Sequence, residues 1–281
     1  MIDPRRSAIQ SGIERLYHYE PFHPEYLATM LQENKIHFSD PSALNDPWDC
    51  RPWFDDEALD ADAIEALIVW LFALPPAGPI SDGQIRATKD AIRTNSEYRR
   101  AALQRFSEDF LKLIPNRWRI YCLTPVPDST LMWSHYADNH RGICLEFGTD
   151  VPLFASALEV TYRSDYPTWA PNLVASTGAD ILLTKSDDWK YEREYRIIGL
   201  GESVQRSFDA SPLTLRGNFM HLPEGAIKSV IVGCEANFSQ IEQIVKRTVP
   251  GLLIKRAVRS PNRYRLVIKG CATPDDSSAI T

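Results

Sequence analysis

Hydrophobic periodicity changes twice along the chain, and these changes limit the folds open to it. Two short runs with strand character, Leu16–Tyr19 and Ile36–Ser39, flank the stretch Pro24–Asn34, whose Leu27, Met30 and Leu31 recur at helical spacing. From Asp55 to about Leu113 strand signals vanish. Ile64, Leu67, Ile68 and Leu71 form one helical stripe there, the Pro-rich Leu74–Pro79 interrupts it, and Ile85–Leu113 resumes it with many charges. Strands are predicted again at Trp118–Leu123, Ile143–Phe147, Val160–Tyr162, Tyr191–Ile198, Ser229–Val232, Leu252–Ala257 and Tyr264–Ile268. Helices are predicted at about Ser129–Asn139, over Ile181–Trp189 as a helix ending, and at Phe238–Thr248. The expectation is an α+β fold.

No internal repeat, low-complexity segment or linker-like shift in composition divides the chain. Residues 1–281 are therefore read as one domain, with a helical insertion at about 55–113 and a frayed tail at about 272–281.

Composition narrows the functional classes. A chain that is 44% hydrophobic and 24% charged can bury an ordinary core. A net charge of -6 provides no overall basic field for a phosphate backbone. A local basic groove built from Arg15, Arg51, Arg117, Arg119, Arg141, Lys185, Arg193 and Arg196 is the narrower option, against scattered surface solvation. The five cysteines are odd in number and lack metal-ligand spacing, which fits a reducing compartment. Neither a secretory apolar region nor a run of roughly 20 apolar residues is present, so the expected location is the cytoplasm, with no membrane partner.

The segment Glu192-Arg193-Glu194-Tyr195-Arg196 carries the densest chemistry. Read as a strand, it points Glu192, Glu194 and Arg196 to one face and Tyr191, Arg193 and Tyr195 to the other. The simpler reading is an exposed edge strand with a charged face. The functional one is a carboxylate that anchors a ribose hydroxyl and stabilises an oxocarbenium-like transition state. Crowding of Glu192 against Glu194 should raise one pKa of the pair, and Arg196 should oppose the rise.

Elsewhere, His18 faces away from Tyr17 and Tyr19, as a structural histidine or as part of an aromatic floor for a nucleotide. Phe38-Ser39-Asp40 and Asn45-Asp46-Pro47-Trp48-Asp49 place hydroxyl, amide and carboxylate groups on one ordered loop. Asp46 and Asp49 lack a calcium-loop register, so turn capping is favoured over a metal and no metal site is assigned. Around Trp133-Ser134-His135-Tyr136 and His140-Arg141-Gly142 there is no nucleophile elbow, so packing and polar contacts are favoured. Neither a dinucleotide fingerprint nor a P-loop occurs.

Taken in order, Leu16-Tyr17-His18-Tyr19, Phe38-Ser39, Leu44 to Asp49, Met132 to Ala137, Asn139 to Gly142, Lys185 and Trp189 to Arg196 resemble the bacterial domain-of-unknown-function family 2971, over about Leu16 to Ile268. That family name carries no activity. A weaker resemblance is to the His-Tyr-Glu group of ADP-ribosyltransferases, whose histidine strand, helix, aromatic-Ser element and late glutamate strand follow the order Tyr17-His18, the helix through Leu31, Phe38-Ser39 and Glu194. The second-motif aromatic is Phe38 rather than tyrosine, and Glu33-Asn34-Lys35 replaces a small-residue turn.

This resemblance implies a split β-sheet holding NAD as substrate, cleaved at its glycosidic bond by an ADP-ribosyltransferase or NAD glycohydrolase, in a toxin or anti-phage setting. It implies catalytic Glu194 with Glu192 as the first acid of the pair. His18 would hold the adenosine ribose, Phe38 or Tyr19 would stack near nicotinamide, and Ser39 would support the loop; Asn45, Tyr136 and Arg196 complete the cofactor set. The acceptor, protein or nucleic acid, and the oligomeric state stay open. Two other readings compete. One is a non-catalytic ligand-sensing or structural module in which Glu192, Glu194, Arg196 and Lys185 form a buried ion network. The other is a metal-dependent nucleic-acid hydrolase using Asp46, Asp49 and Glu194.

Overall fold

The structure is a computed structural model that describes residues 6–73, 81–172, 180–201 and 215–270. It combines helices with mixed sheets, an α+β arrangement. The chain enters through β1 (Arg15–Glu20), α1 (Pro24–Glu33) and β2 (Lys35–His37). Pro24 opens α1, where a missing N–H costs nothing, and Asn34 closes it in the left-handed conformation at φ 49°. After β3 (Trp53–Phe54) come three helices, α2 (Ala61–Ala73), α3 (Asp82–Thr94) and α4 (Ser96–Arg117). Ser81 and Gln84 form a capping box on α3, and the Asn95 side chain accepts from the first N–H groups of α4. The predicted interruption at Leu74–Pro79 and the predicted frayed tail lie outside the described residues.

The second half comprises β4 (Trp118–Leu123), α5 (Thr130–Tyr136), β5 (Ile143–Gly148), α6 (Pro152–Ala155), β6 (Leu158–Glu159), β7 (Thr161–Arg163), β8 (Thr168–Trp169), β9 (Thr184–Ser186) and β10 (Tyr195–Leu200). It continues with β11 (Phe219–His221), β12 (Ile227–Val232), α7 (Phe238–Thr248), β13 (Leu253–Arg259) and β14 (Leu266–Gly270).

Five strands form the larger sheet in the order β1-β5-β12-β13-β14. Its one parallel pair, β12 with β13, is joined through α7, as a crossover requires. Alternation along β5 divides the apolar residues between two faces: Ile143, Leu145 and Phe147 meet Leu27, Met30, Ile241 and Val245 of α1 and α7, while Cys144 meets Trp133 of α5. Gly142 permits the turn into β5, because a Cβ there would stand 2.3 Å from the Glu20 carbonyl oxygen.

A smaller sheet, β4-β10-β6, decides where the chemistry sits. Tyr121, Leu123, Tyr195 and Ile197 turn one of its faces into the main core. Ile120, Cys122 and Ile198 turn the other toward a second apolar cluster made by Leu67, Ile68, Ile92, Leu103 and Phe106 of the helical block. β4 and α7 match the sequence reading, whereas two segments differ from it. Ile181–Trp189 is a helix ending only at its first residue, Ile181: β9 occupies its middle, paired parallel with β7, and a 3₁₀ turn runs over Asp187–Glu192 with the Ser186 side chain capping it. The alternating strand predicted from Tyr191 begins only at Tyr195, since Arg193 adopts the left-handed conformation at φ 47°. The edge-strand reading fails as well, because β10 is the central strand of its sheet. Among the described residues, no helix is long and apolar enough to cross a membrane.

Candidate functional site

Five ionisable side chains meet on the helical-block side of β10. Arg196 reaches its place by ordinary strand alternation, opposite Cys122 of β4. Glu192 and Glu194 arrive differently: one ends the 3₁₀ turn, the other follows Arg193, and the left-handed residue between them redirects the chain so that both carboxylates point inward. Asp49 comes from the loop after β2. There Asp40 accepts from Ser42 N at 2.8 Å, Asp46 accepts from Trp48 N at 2.9 Å, and Cys50 takes a left-handed conformation at φ 59°. Turn capping thus accounts for one oxygen of Asp46, and the loop it shapes delivers Asp49 to Arg196.

The Arg196 side chain has no solvent exposure. Its Nε donates to Glu194 Oε1 at 2.7 Å and its Nη2 to Glu194 Oε2 at 3.0 Å. Nη1 donates to Asp49 Oδ1 at 2.8 Å and to the Leu182 carbonyl at 2.7 Å, and Nη2 also bonds Asp49 Oδ2. Lys185 of β9 places Nζ 2.6 Å from Glu192, 3.3 Å from Glu194 and 3.7 Å from Asp49, beneath the Trp189 ring at 4.8 Å.

Three acids thus share two cations, and the surplus acid is Glu192. Burial and the neighbouring Glu194 push its pKa up, against the pull of Lys185. Burial works against ionised Glu194 too, but Arg196 and Lys185 outweigh it and hold that carboxyl down at about 2. Glu194 is therefore a fixed anion. Glu192, by contrast, accepts from the Tyr136 hydroxyl, which in turn receives Asn45 Nδ2 at 3.2 Å near the surface. His135, hydrogen-bonded to the Tyr191 hydroxyl at 2.8 Å, stands edge-on to the Tyr136 ring.

Next to the cluster lies a cleft of about 290 Å³, near the lower end of small-molecule sites. Trp48, Tyr166, Trp169 and Trp189 supply its aromatic lining, and Arg51, Arg163 and Lys185 its cations. Asp46, also in the lining, is 3% exposed, and its Oδ2 has no hydrogen-bond partner among the described residues. An unsatisfied buried carboxylate oxygen is costly, so this site favours a ligand that brings a donor.

The predicted site residues divide into two groups. Glu192, Glu194, Arg196, Tyr136 and Asn45 come together. His18, Tyr19, Phe38 and Ser39 do not join them. The His18 ring stacks on Tyr121 at 4.3 Å and its Nδ1 lies 2.7 Å from the Cys122 carbonyl. Tyr121 faces the main core and Arg196 the helical block, so the smaller sheet stands between that imidazole and the ion cluster. Burial lowers the His18 pKa to about 4, which keeps the ring neutral. Phe38 is a core side chain with no exposure, 5.4 Å from Tyr121. Tyr19 is buried edge-on against Trp133 and donates to the Val126 carbonyl at 2.7 Å. Ser39 pairs through its backbone with Ile120. These four are used by packing and strand pairing, which corrects their expected place in one hollow with Glu194.

The convergence of Asp46, Asp49 and Glu194 on a metal is not met either: a guanidinium lies between Asp49 and Glu194, and among the described residues no group of three or more His, Cys, Asp or Glu is placed to hold a metal ion. The cleft itself was missed from sequence. Its lining comes from residues 46–51, 163–169 and 181–189, three stretches that share no motif.

Residues 132–197 match the family model described as a protein of unknown function (DUF2971). The matched span runs from within α5 to the middle of β10 and holds Tyr136, Lys185, Trp189, Glu192, Glu194 and Arg196; Asn45, Asp46 and Asp49 lie outside it. Neither the curated proteins nor the solved structures give a match.

Proposed function

We propose that the protein is a small-molecule binding module whose ligand joins a planar ring to an anionic group, as nucleotides do. The observation that carries this reading is the cleft: aromatic walls for a ring, two exposed arginines for an anion, and the unpartnered oxygen of buried Asp46 for a ring donor. The ion cluster gives the cleft a fixed floor, because Lys185 lines the cavity and is bonded to Glu192 and Glu194 below it. The rest of the binding energy comes from stacking and from Arg51 and Arg163.

NAD belongs to this ligand class, and the resemblance to ADP-ribosyltransferases makes it the first nucleotide to try. Cleavage of its glycosidic bond would fall to Glu192 rather than Glu194. Glu194 is bound by Arg196 through both oxygens, whereas Glu192 takes up a proton more readily and connects to the surface through Tyr136 and Asn45.

Trp48, Trp169 and Trp189 line the cleft, so titration of NAD, ADP-ribose and ATP can be followed by tryptophan fluorescence and checked by calorimetry. The expected result is saturable quenching that Arg51→Glu with Arg163→Glu abolishes. Absence of binding by every nucleotide would end this reading. Nicotinamide release is measured in parallel on wild type and on Glu192→Gln. Binding without release leaves the module and removes the glycosidic step; release that survives Glu192→Gln removes the role of that residue.

A further inference from the structure

The chain is acidic overall, yet its last two described strands are not. Between Leu253 and Gly270 there are six cations, Lys255, Arg256, Arg259, Arg263, Arg265 and Lys269, and no acidic residue. β13 and β14 pair in register from Lys255↔Gly270 to Arg259↔Leu266, and β14 is the edge strand of the larger sheet. The charges are therefore gathered on one antiparallel hairpin. Lys255 is bonded to Glu146, and Arg256 lies over the Phe238 ring at 5.3 Å. Arg259 has one weak partner, Glu235 at 3.5 Å. Arg263, Arg265 and Lys269 are exposed and, among the described residues, have no carboxylate partner.

The tip has a defined shape. Ser260 N donates to the Arg265 carbonyl at 3.0 Å and Arg265 N to the Arg263 carbonyl at 2.8 Å. Tyr264, between the two arginines in sequence, is fully exposed. Its ring packs on nothing, which is unusual for a large aromatic side chain outside a binding surface. Beside the tip lies an open recess of about 720 Å³, lined by Thr130, His140, Cys234 and Glu235 as well as by Arg259, Arg263 and Arg265.

We infer that this hairpin is a docking surface for single-stranded nucleic acid, with Tyr264 as a stacking platform for one base and Arg263 and Arg265 set against the flanking phosphates. An unpacked ring flanked in sequence by two arginines suits an unpaired base, whose face is free. A duplex hides that face, and a short loop tip offers neither a helix nor a long ribbon to enter a groove. A membrane surface fits less well, since only Pro261 and Tyr264 at the tip have apolar surface to insert. This surface is formed by elements other than those of the nucleotide cleft, so it stands or falls apart from that proposal.

The test uses the full chain and fluorescence anisotropy with a labelled single-stranded oligothymidylate 20-mer and its RNA counterpart. Wild type should bind at 50 mM salt, and affinity should fall with a log–log salt slope of about −1.4, as roughly two cation–phosphate contacts require. Tyr264→Ala should weaken binding roughly ten- to hundredfold with little change in the salt slope. Arg263→Glu with Arg265→Glu should remove it. All three positions are exposed, so circular dichroism should report an unchanged fold. The inference is overturned if wild type fails to bind the oligomer at 50 mM salt, if both variants bind as wild type does, or if duplex or anionic phospholipid vesicles are preferred to the single strand.

Discussion

Replacing Arg196 by methionine tests whether the ion cluster is what holds the β9, β10 and Asp49 segments together. The substitution keeps most of the side-chain volume and removes six hydrogen bonds: two to Asp49, two to Glu194, one to the Leu182 carbonyl and one to the Cys50 sulfur. Asp49 then keeps only Lys185, at 3.7 Å, as a cation, and Glu194 keeps the same ammonium at 3.3 Å. Removing one partner of a buried ion pair costs roughly 3–5 kcal/mol, and two carboxylates depend on this one guanidinium, so the upper end applies, about 5 kcal/mol. Against a total stability of roughly 5–15 kcal/mol that is a large fraction.

Urea denaturation read by tryptophan fluorescence would show it as a midpoint lowered by about 1.7 M, for a slope of roughly 3 kcal/mol/M. Adding Asp49→Asn and Glu194→Gln to Arg196→Met should recover more than half of the loss, because neutral amides no longer leave unpaired charge behind. The acid limb should change as well. Glu194 titrates at about 2 in the folded chain, so its contribution is present above the ordinary carboxylate range near 4.5 and is lost as pH falls from there through about 2. Arg196→Met should flatten that limb. A loss under about 1 kcal/mol for the single variant, or a triple variant no more stable than the single, would refute the electrostatic account.

Two further outcomes follow from the buried groups. Burial raises the Glu20 pKa to about 8, and its Oε1 has no partner among the described residues; the folded chain thus keeps a proton that the unfolded chain releases near 4.5, and stability declines as pH rises from there to about 8. Glu20→Gln should therefore gain about 4 kcal/mol at pH 8 and little at pH 4, which denaturation at the two pH values measures. Phe38→Ala should cost about 3–5 kcal/mol in the same assay as a core cavity, and leave nucleotide affinity of the folded fraction unchanged; lost affinity with unaltered stability would contradict its place in the core.

Local physics was legible along much of the chain. The 3.6-residue apolar spacing in Pro24–Glu33 and Phe238–Thr248, the strand composition of Trp118–Leu123, and the long stretch without strands between them fixed element types, because each depends on neighbours a few residues apart. A buried ion network is one reading of Lys185–Arg196 because eight charged side chains in twelve residues must be solvated or paired. The register of Glu192–Arg196 could not be read the same way. A strict two-residue alternation predicts one shared face, and the two glutamates do share the interior with Arg196, but through a 3₁₀ turn and a left-handed Arg193 that favour no simple sequence pattern.

Which distant groups share a space depends on packing alone. His18 and Phe38 precede Glu194 in an order that suits one nucleotide hollow, yet the smaller sheet passes between them, since a strand sends successive side chains to opposite sides and Tyr121 and Cys122 are neighbours. Asp46, Arg51, Arg163, Trp169 and Trp189 line one cleft although more than a hundred residues separate its first and last members. Sequence spacing reports the period of a helix or strand; side-chain convergence across such distances depends on how whole elements pack.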